Sequence, residues 1–117
     1  MRSFMVEITA PSPEEAERIG RALVEERLAS CANILPAVRS IYRWKGRVEE
    51  ASETMLLVKT TEAALPELIG RVRALHSYEC PCVAAVRIVG GNPDYLAWIE
   101  AESGPHGTHA EPSGPAD

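Results

Sequence analysis

Residues 4–9 (FMVEIT) crowd apolar, aromatic and β-branched side chains into a strand's length and stop at Ala10-Pro11, which predicts a first strand. The period then changes. Between residues 12 and 30, Ala16, Ile19, Leu23 and Val24 recur at helical spacing, with Glu14–Arg18 and Glu17–Arg21 as i,i+4 pairs on the opposite side. Ser12 suits an N-cap, Pro13 the first helical position, and Glu15 the acid of a capping box. From residue 31 to 60, two runs rich in Ile, Val, Leu, Tyr and Trp flank Lys45-Gly46, which predicts a long hairpin. Pro36 lies inside its first arm, where a missing N–H donor requires an edge, a bulge or a break. Leu65, Leu68, Ile69, Val72 and Leu75 share one helical face, predicting a second helix over 62–75 with Pro66 near its start. VAAVRIV, from Val83, predicts a short strand. Asn92 as cap, Pro93 at the first position and Leu96 with Ile99 on one side then open a last helix. Residues 103–117 are small, polar or turn-forming without periodicity, so the expectation is one domain over 1–102 and a disordered tail.

The order strand, helix, strand, strand, helix, strand, helix is that of an α+β, ferredoxin-like βαββαβ sandwich with an added C-terminal helix. One helical layer covers one sheet face. The other face of a long hairpin then needs cover, which association between copies supplies, and its exposed strand edges invite the same pairing.

At 117 residues the chain is long enough for one core. Hydrophobic residues make up 45% and charged residues 25%, and no apolar run reaches the length of a membrane span. The opening MRSFMVEITAPSPEE meets acids and prolines before an apolar signal core could develop, so a cytoplasmic location is expected. The net charge of −5, with no basic stripe, argues against nucleic acid as a partner. Three cysteines are an odd number for a disulfide framework, which leaves reduced thiols as core filler or as ligands.

The run HSYECPCV, residues 76–83, concentrates the candidate chemistry. In an extended segment Cys80 and Cys82 face the same way with Cβ atoms about 6 to 7 Å apart, and rotamers can bring two sulfurs to the roughly 3.8 Å that a shared zinc requires. His76 stands four residues earlier as a third donor, so His76, Cys80 and Cys82 are candidate ligands for copper or zinc. No second Cys or His pair elsewhere in the folded part completes a four-ligand structural site, and buried free thiols are the plain alternative. Cys31, at a helix-to-strand junction, reads as core. His106 and His109 sit in the tail, where binding a divalent ion would first have to order the segment. Tyr42 and Trp44 near the hairpin tip read as interface anchors. No nucleophile–base arrangement stands out, Glu49-Glu50 reads as a solvated pair, and Gly90-Gly91 as a plain turn.

The stretches TAPSPEEAERIGRALVEERLASCANILPAV, SIYRWKGRVEE, LLVKTTE and LHSYECP, followed by GNPDYLAWI, together resemble the CutA family of divalent-cation tolerance proteins from about residue 6 to residue 99. The resemblance implies a ferredoxin-like protomer in a tight homotrimer, with the hairpin pairing across subunits. It implies a cytoplasmic protein linked to copper and other divalent metals, binding them without catalysis. It also implies likeness to the trimeric PII signalling proteins, and with it an alternative: a regulator that binds a small anionic effector between subunits. One branch of the family takes copper on a cysteine just before the Thr-Ala-Pro turn, where this chain has Ile8, and on histidines before the Tyr-Glu word, where it has Leu75 and His76. Ser77 replaces the usual proline, and Cys82 stands where glutamate is common. Trp44, Lys59, Tyr78 and Glu79 match family words near the inter-subunit cleft and are the positions implied for a small ligand.

Overall fold

The computed structural model describes residues 2–104. The elements run β1 (Ser3–Ala10), α1 (Pro13–Glu25), β2 (Cys31–Trp44), β3 (Arg47–Thr61), α2 (Leu65–Leu75), β4 (Val83–Arg87) and α3 (Pro93–Glu102). This is the order expected from the hydrophobic pattern. Ser12 caps α1, its Oγ accepting from the Glu15 N–H at 3.1 Å, and Asn92 caps α3 by accepting from the Asp94 N–H. The capping box is only half built, because the Glu15 carboxylate accepts a bond from Ser77 instead. The second helix starts at Leu65, the first residue of its apolar face, three residues later than the expected start at 62. Residues 62–64 form a turn, Thr61 Oγ1 accepts weakly from the Ala64 N–H, and Pro66 falls in the first helical turn, where its missing donor costs nothing.

Four antiparallel strands form one sheet in the order β2-β3-β1-β4. Strand alternation sends Val6 and Ile8 of β1 and Leu56 and Val58 of β3 to one face. There they meet Ala16, Ile19 and Leu23 of α1 and Leu68 and Val72 of α2 in one buried core. Gly20 lets α1 approach closely, since a Cβ there would stand 3.2 Å from both Ala32 Cβ and a Leu56 methyl. Val24, placed on the apolar face by its spacing, lies instead at the solvent border of α1.

β2 and β3 outrun the rest of the sheet. β1 pairs with β3 only over residues 54–61, so the hairpin's distal part, from Val38 to Glu53, is a two-stranded arm. Its tip is a two-residue turn with Lys45 and Gly46 both at positive φ, 51° and 80°, the handedness that matches strand twist. At Pro36 the register shifts by one residue, with Pro36 and Ala37 set against Thr54 alone, and Ala37 turns to φ 61°, the bulge that the proline demanded.

The end of α1 is a Schellman motif, with Leu28 N–H bonded to Leu23 O and Arg27 N–H to Val24 O. Arg27 holds the left-handed position that glycine usually takes, at φ 62°. Its guanidinium reaches the carbonyls of Ala101 and Gly104 and the Glu102 carboxylate, fastening the end of α3. α3 crosses one end of the sheet face opposite α1. Its Tyr95 hydroxyl lies 3.7 Å from Sγ of Cys31, which pairs with Lys59 on that face, and Ile99 is fully buried. Just past α3, Ser103 is buried and the Gly104 N–H donates to the Arg27 carbonyl. The rest of the tail, including His106 and His109, lies outside the described residues.

Candidate functional site

The part of that second sheet face left uncovered by α3 holds a cleft of about 590 Å³. Its floor follows from strand alternation: Glu7 and Thr9 from β1 stand beside Glu53 and Met55 from β3, with Ser40, Tyr42 and Trp44 projecting from the hairpin arm. The loop between α2 and β4 closes one wall with Tyr78, Glu79, Cys80 and Cys82. Among the described residues, three carboxylates and no Lys or Arg line the space.

Tyr78 fixes the wall to the floor. Its hydroxyl donates to Glu53 Oε2 at 2.8 Å, and burial together with that carboxylate pushes the phenol up to about 12, so it stays a neutral donor. Behind Tyr78 the loop is held by His76, whose side chain is fully buried. The Tyr78 N–H donates to Nδ1 at 3.0 Å, so Nε2 carries the hydrogen and donates to the Thr9 carbonyl at 2.7 Å. Glu15 completes the node: Oε2 accepts from the Ser77 N–H at 2.8 Å and lies 3.4 Å from His76 Nδ1. Burial raises the Glu15 carboxyl, but the Ser77 bonds, His76 and Arg18 together outweigh it and leave the group below its ordinary value.

The structure places the sequence-derived candidates unequally. Trp44, Tyr78, Glu79, Cys80 and Cys82 converge on the cleft. Lys59 does not, because four residues beyond Met55 on β3 it donates to Asn33 Oδ1 at 2.6 Å. His76 does not act with the thiols: both its nitrogens are engaged, and ligation would break the bonds that hold the loop. Among the described residues no three His, Cys, Asp or Glu side chains are grouped to hold a metal ion. Within one protomer His76 thus stands apart from Cys80 and Cys82, held by its own hydrogen bonds, while the two thiols reach the cleft. Cys80 is exposed and Cys82 half-buried, and burial with the nearby Glu7 carboxylate raises the Cys82 thiol. Cys31 is partly buried beside Tyr95 and lies outside the cleft.

Glu7 and Glu53 were not singled out by their sequence context, and Glu15 only as part of a helix cap. Glu7 and Glu53 are acids within β-rich runs, which signals the solvent-facing side of a strand and nothing more. Glu15 looked like a cap, and its partner lies 62 positions away.

The model of the family described as CutA1 divalent ion tolerance protein matches residues 4–102. The divalent-cation tolerance protein CutA of Thermus thermophilus is 53% identical over 100 residues, 86% of this chain and 97% of that protein. Protein CutA of Mus musculus is 45% identical over 92 residues, 79% of this chain but only 52% of its own length. A solved structure of the Thermus thermophilus protein superposes with a TM-score of 0.86 at 52% identity, covering 87% of this chain and 99% of that one. No helix among the described residues is long and apolar enough to cross a membrane. With this match over the sheet, all three helices and the cleft residues, the chain belongs to the CutA1 divalent ion tolerance family.

Proposed function

We propose that this chain is a ferredoxin-like homotrimer of the cytoplasm that takes up metal ions at the cleft and contributes to divalent-cation tolerance without catalysis. The observation that carries this reading is the composition of the cleft: Glu7, Glu53 and Glu79 stand with the sulfurs of Cys80, Cys82 and Met55, and no cationic side chain opposes them. Carboxylates attract divalent ions, and thiolate with thioether favours copper, while zinc accepts thiolate and carboxylate together. His76 serves as the strut of the wall, and the ligands come from Cys80, Cys82 and the acids. The same lining repels an anion, so it speaks against a PII-like anionic effector, and Lys59, the cation such an effector would need, lies elsewhere. Association is supported by the projecting arm, where Ile41 and Val48 are about two-thirds exposed and Tyr42 and Trp44 also reach solvent. Three copies joined through these arms would close the open side of each cleft with a neighbour. Three free cysteines suit a reducing compartment.

Calorimetry with copper(I), copper(II) and zinc tests the reading on wild type and the Cys80→Ser/Cys82→Ser variant. We expect the double variant to lose at least tenfold in affinity for the best-bound metal. Because Cys82 enters as a protonated thiol, binding should release a proton and weaken as pH falls. Equal affinity in the two proteins would remove the thiols from the site.

A further inference from the structure

The cleft is far larger than a bare metal ion needs, and its volume of about 590 Å³ falls in the range of small-molecule sites, roughly 300–1,000 Å³. Three of its walls are aromatic. Tyr42 and Trp44 project from the same side of β2, and Tyr78 faces them from the loop with its ring fixed by the bond to Glu53. Charge then decides what such walls attract. Carboxylates Glu7, Glu53 and Glu79 make the cleft anionic, and the faces of the three rings add the negative potential of their π systems. An independent observation points the same way: the chain's own Lys45 ammonium stands over the Trp44 ring, 5.7 Å from its centroid. Lys45 occupies one face of that ring from the neighbouring position in the turn, so a ligand cation takes the other face or displaces it.

We propose that the cleft binds a small organic ammonium ion, held by cation–π contact with Tyr42, Trp44 and Tyr78 and by the charges of Glu7, Glu53 and Glu79. This ligand goes beyond the metal reading: it shares the carboxylates of the same cleft but uses the aromatic rings in place of the thiols. A metal ion needs donor atoms drawn to within about 2 to 2.6 Å of one point, and the described residues provide no such cluster in the protomer. An alkylammonium needs none. Its charge is spread over methyl or methylene hydrogens, so ring faces and carboxylates a few ångströms further out suffice. Met55 supplies an apolar floor that an organic cation can cover and a hydrated metal ion cannot.

The test titrates the full chain with choline and with 3,3-dimethylbutan-1-ol, its uncharged carbon isostere, followed by ligand-observed NMR at millimolar concentration. Choline should bind saturably and the isostere at least tenfold more weakly. Trp44→Leu should weaken choline roughly five- to tenfold. If Trp44→Leu disturbs assembly, the Glu7→Gln/Glu79→Gln variant, altered only at exposed positions, should weaken choline while keeping the native circular dichroism spectrum. Cys80→Ser/Cys82→Ser should bind choline as wild type does, which separates this proposal from the metal reading. Equal binding of choline and the isostere, no binding of choline, or affinity unmoved in both cleft variants would overturn it.

Discussion

Tyr78 and Glu15 show how single side chains hold the cleft open. In Tyr78→Phe the buried Glu53 loses its phenolic donor while keeping its burial, so we expect a loss of about 1 to 3 kcal/mol, read as a lower urea midpoint with unchanged slope. Glu15 sets a pH dependence whose sign follows from its depressed pKa. The stabilisation is complete above the ordinary value of 4.5 and disappears as pH falls through the lower folded value. Unfolding titrations between pH 6 and 3 should show a shallower acid loss in Glu15→Gln than in wild type, and equal slopes would deny Glu15 this role. Neither residue's role could be read from its neighbours in sequence. Glu15 satisfied a local rule, the capping box, and the fold used its carboxylate for a contact with Ser77 instead. The thiols were legible as chemistry, since Cys80 and Cys82 do reach one cleft, but the orientation of His76 toward Thr9 was not, because a buried imidazole and a ligating one have the same sequence signature.

Elements were legible where a local rule acted alone. Both caps, the two-residue turn and the break at Pro36 stand where residue chemistry put them, since each depends on atoms within a few positions. The start of α2 shifted because residues 62–64 are good helix formers in composition while the backbone there is a turn, and the helix begins only where the apolar face does, at Leu65. The hairpin tip offers a direct check at this scale. Gly46 sits at φ 80° with open space around it, so Gly46→Ala introduces only backbone strain. We expect a cost of about 1 kcal/mol, measurable as a lowered denaturant midpoint. A neutral result would mean that the arm draws its stability from contacts beyond its own ladder.

At the scale of the molecule, the pairing of elements into one sheet followed from their order, whereas the cleft did not, because it is made by residues from β1, β2, β3 and the loop after α2. The uncovered face and the projecting arm carry a consequence for assembly. Light scattering at micromolar concentration should return three times the 12.7 kDa chain mass, and Ile41→Glu/Val48→Glu should lower it. A monodisperse single chain would contradict the trimer. The hold of Arg27 on the last helix bears on a different matter, the anchoring of the chain's far end. One guanidinium at the end of α1 clips down a helix some seventy residues further along the chain, and the backbone strain at φ 62° persists because glycine there could not provide the clip.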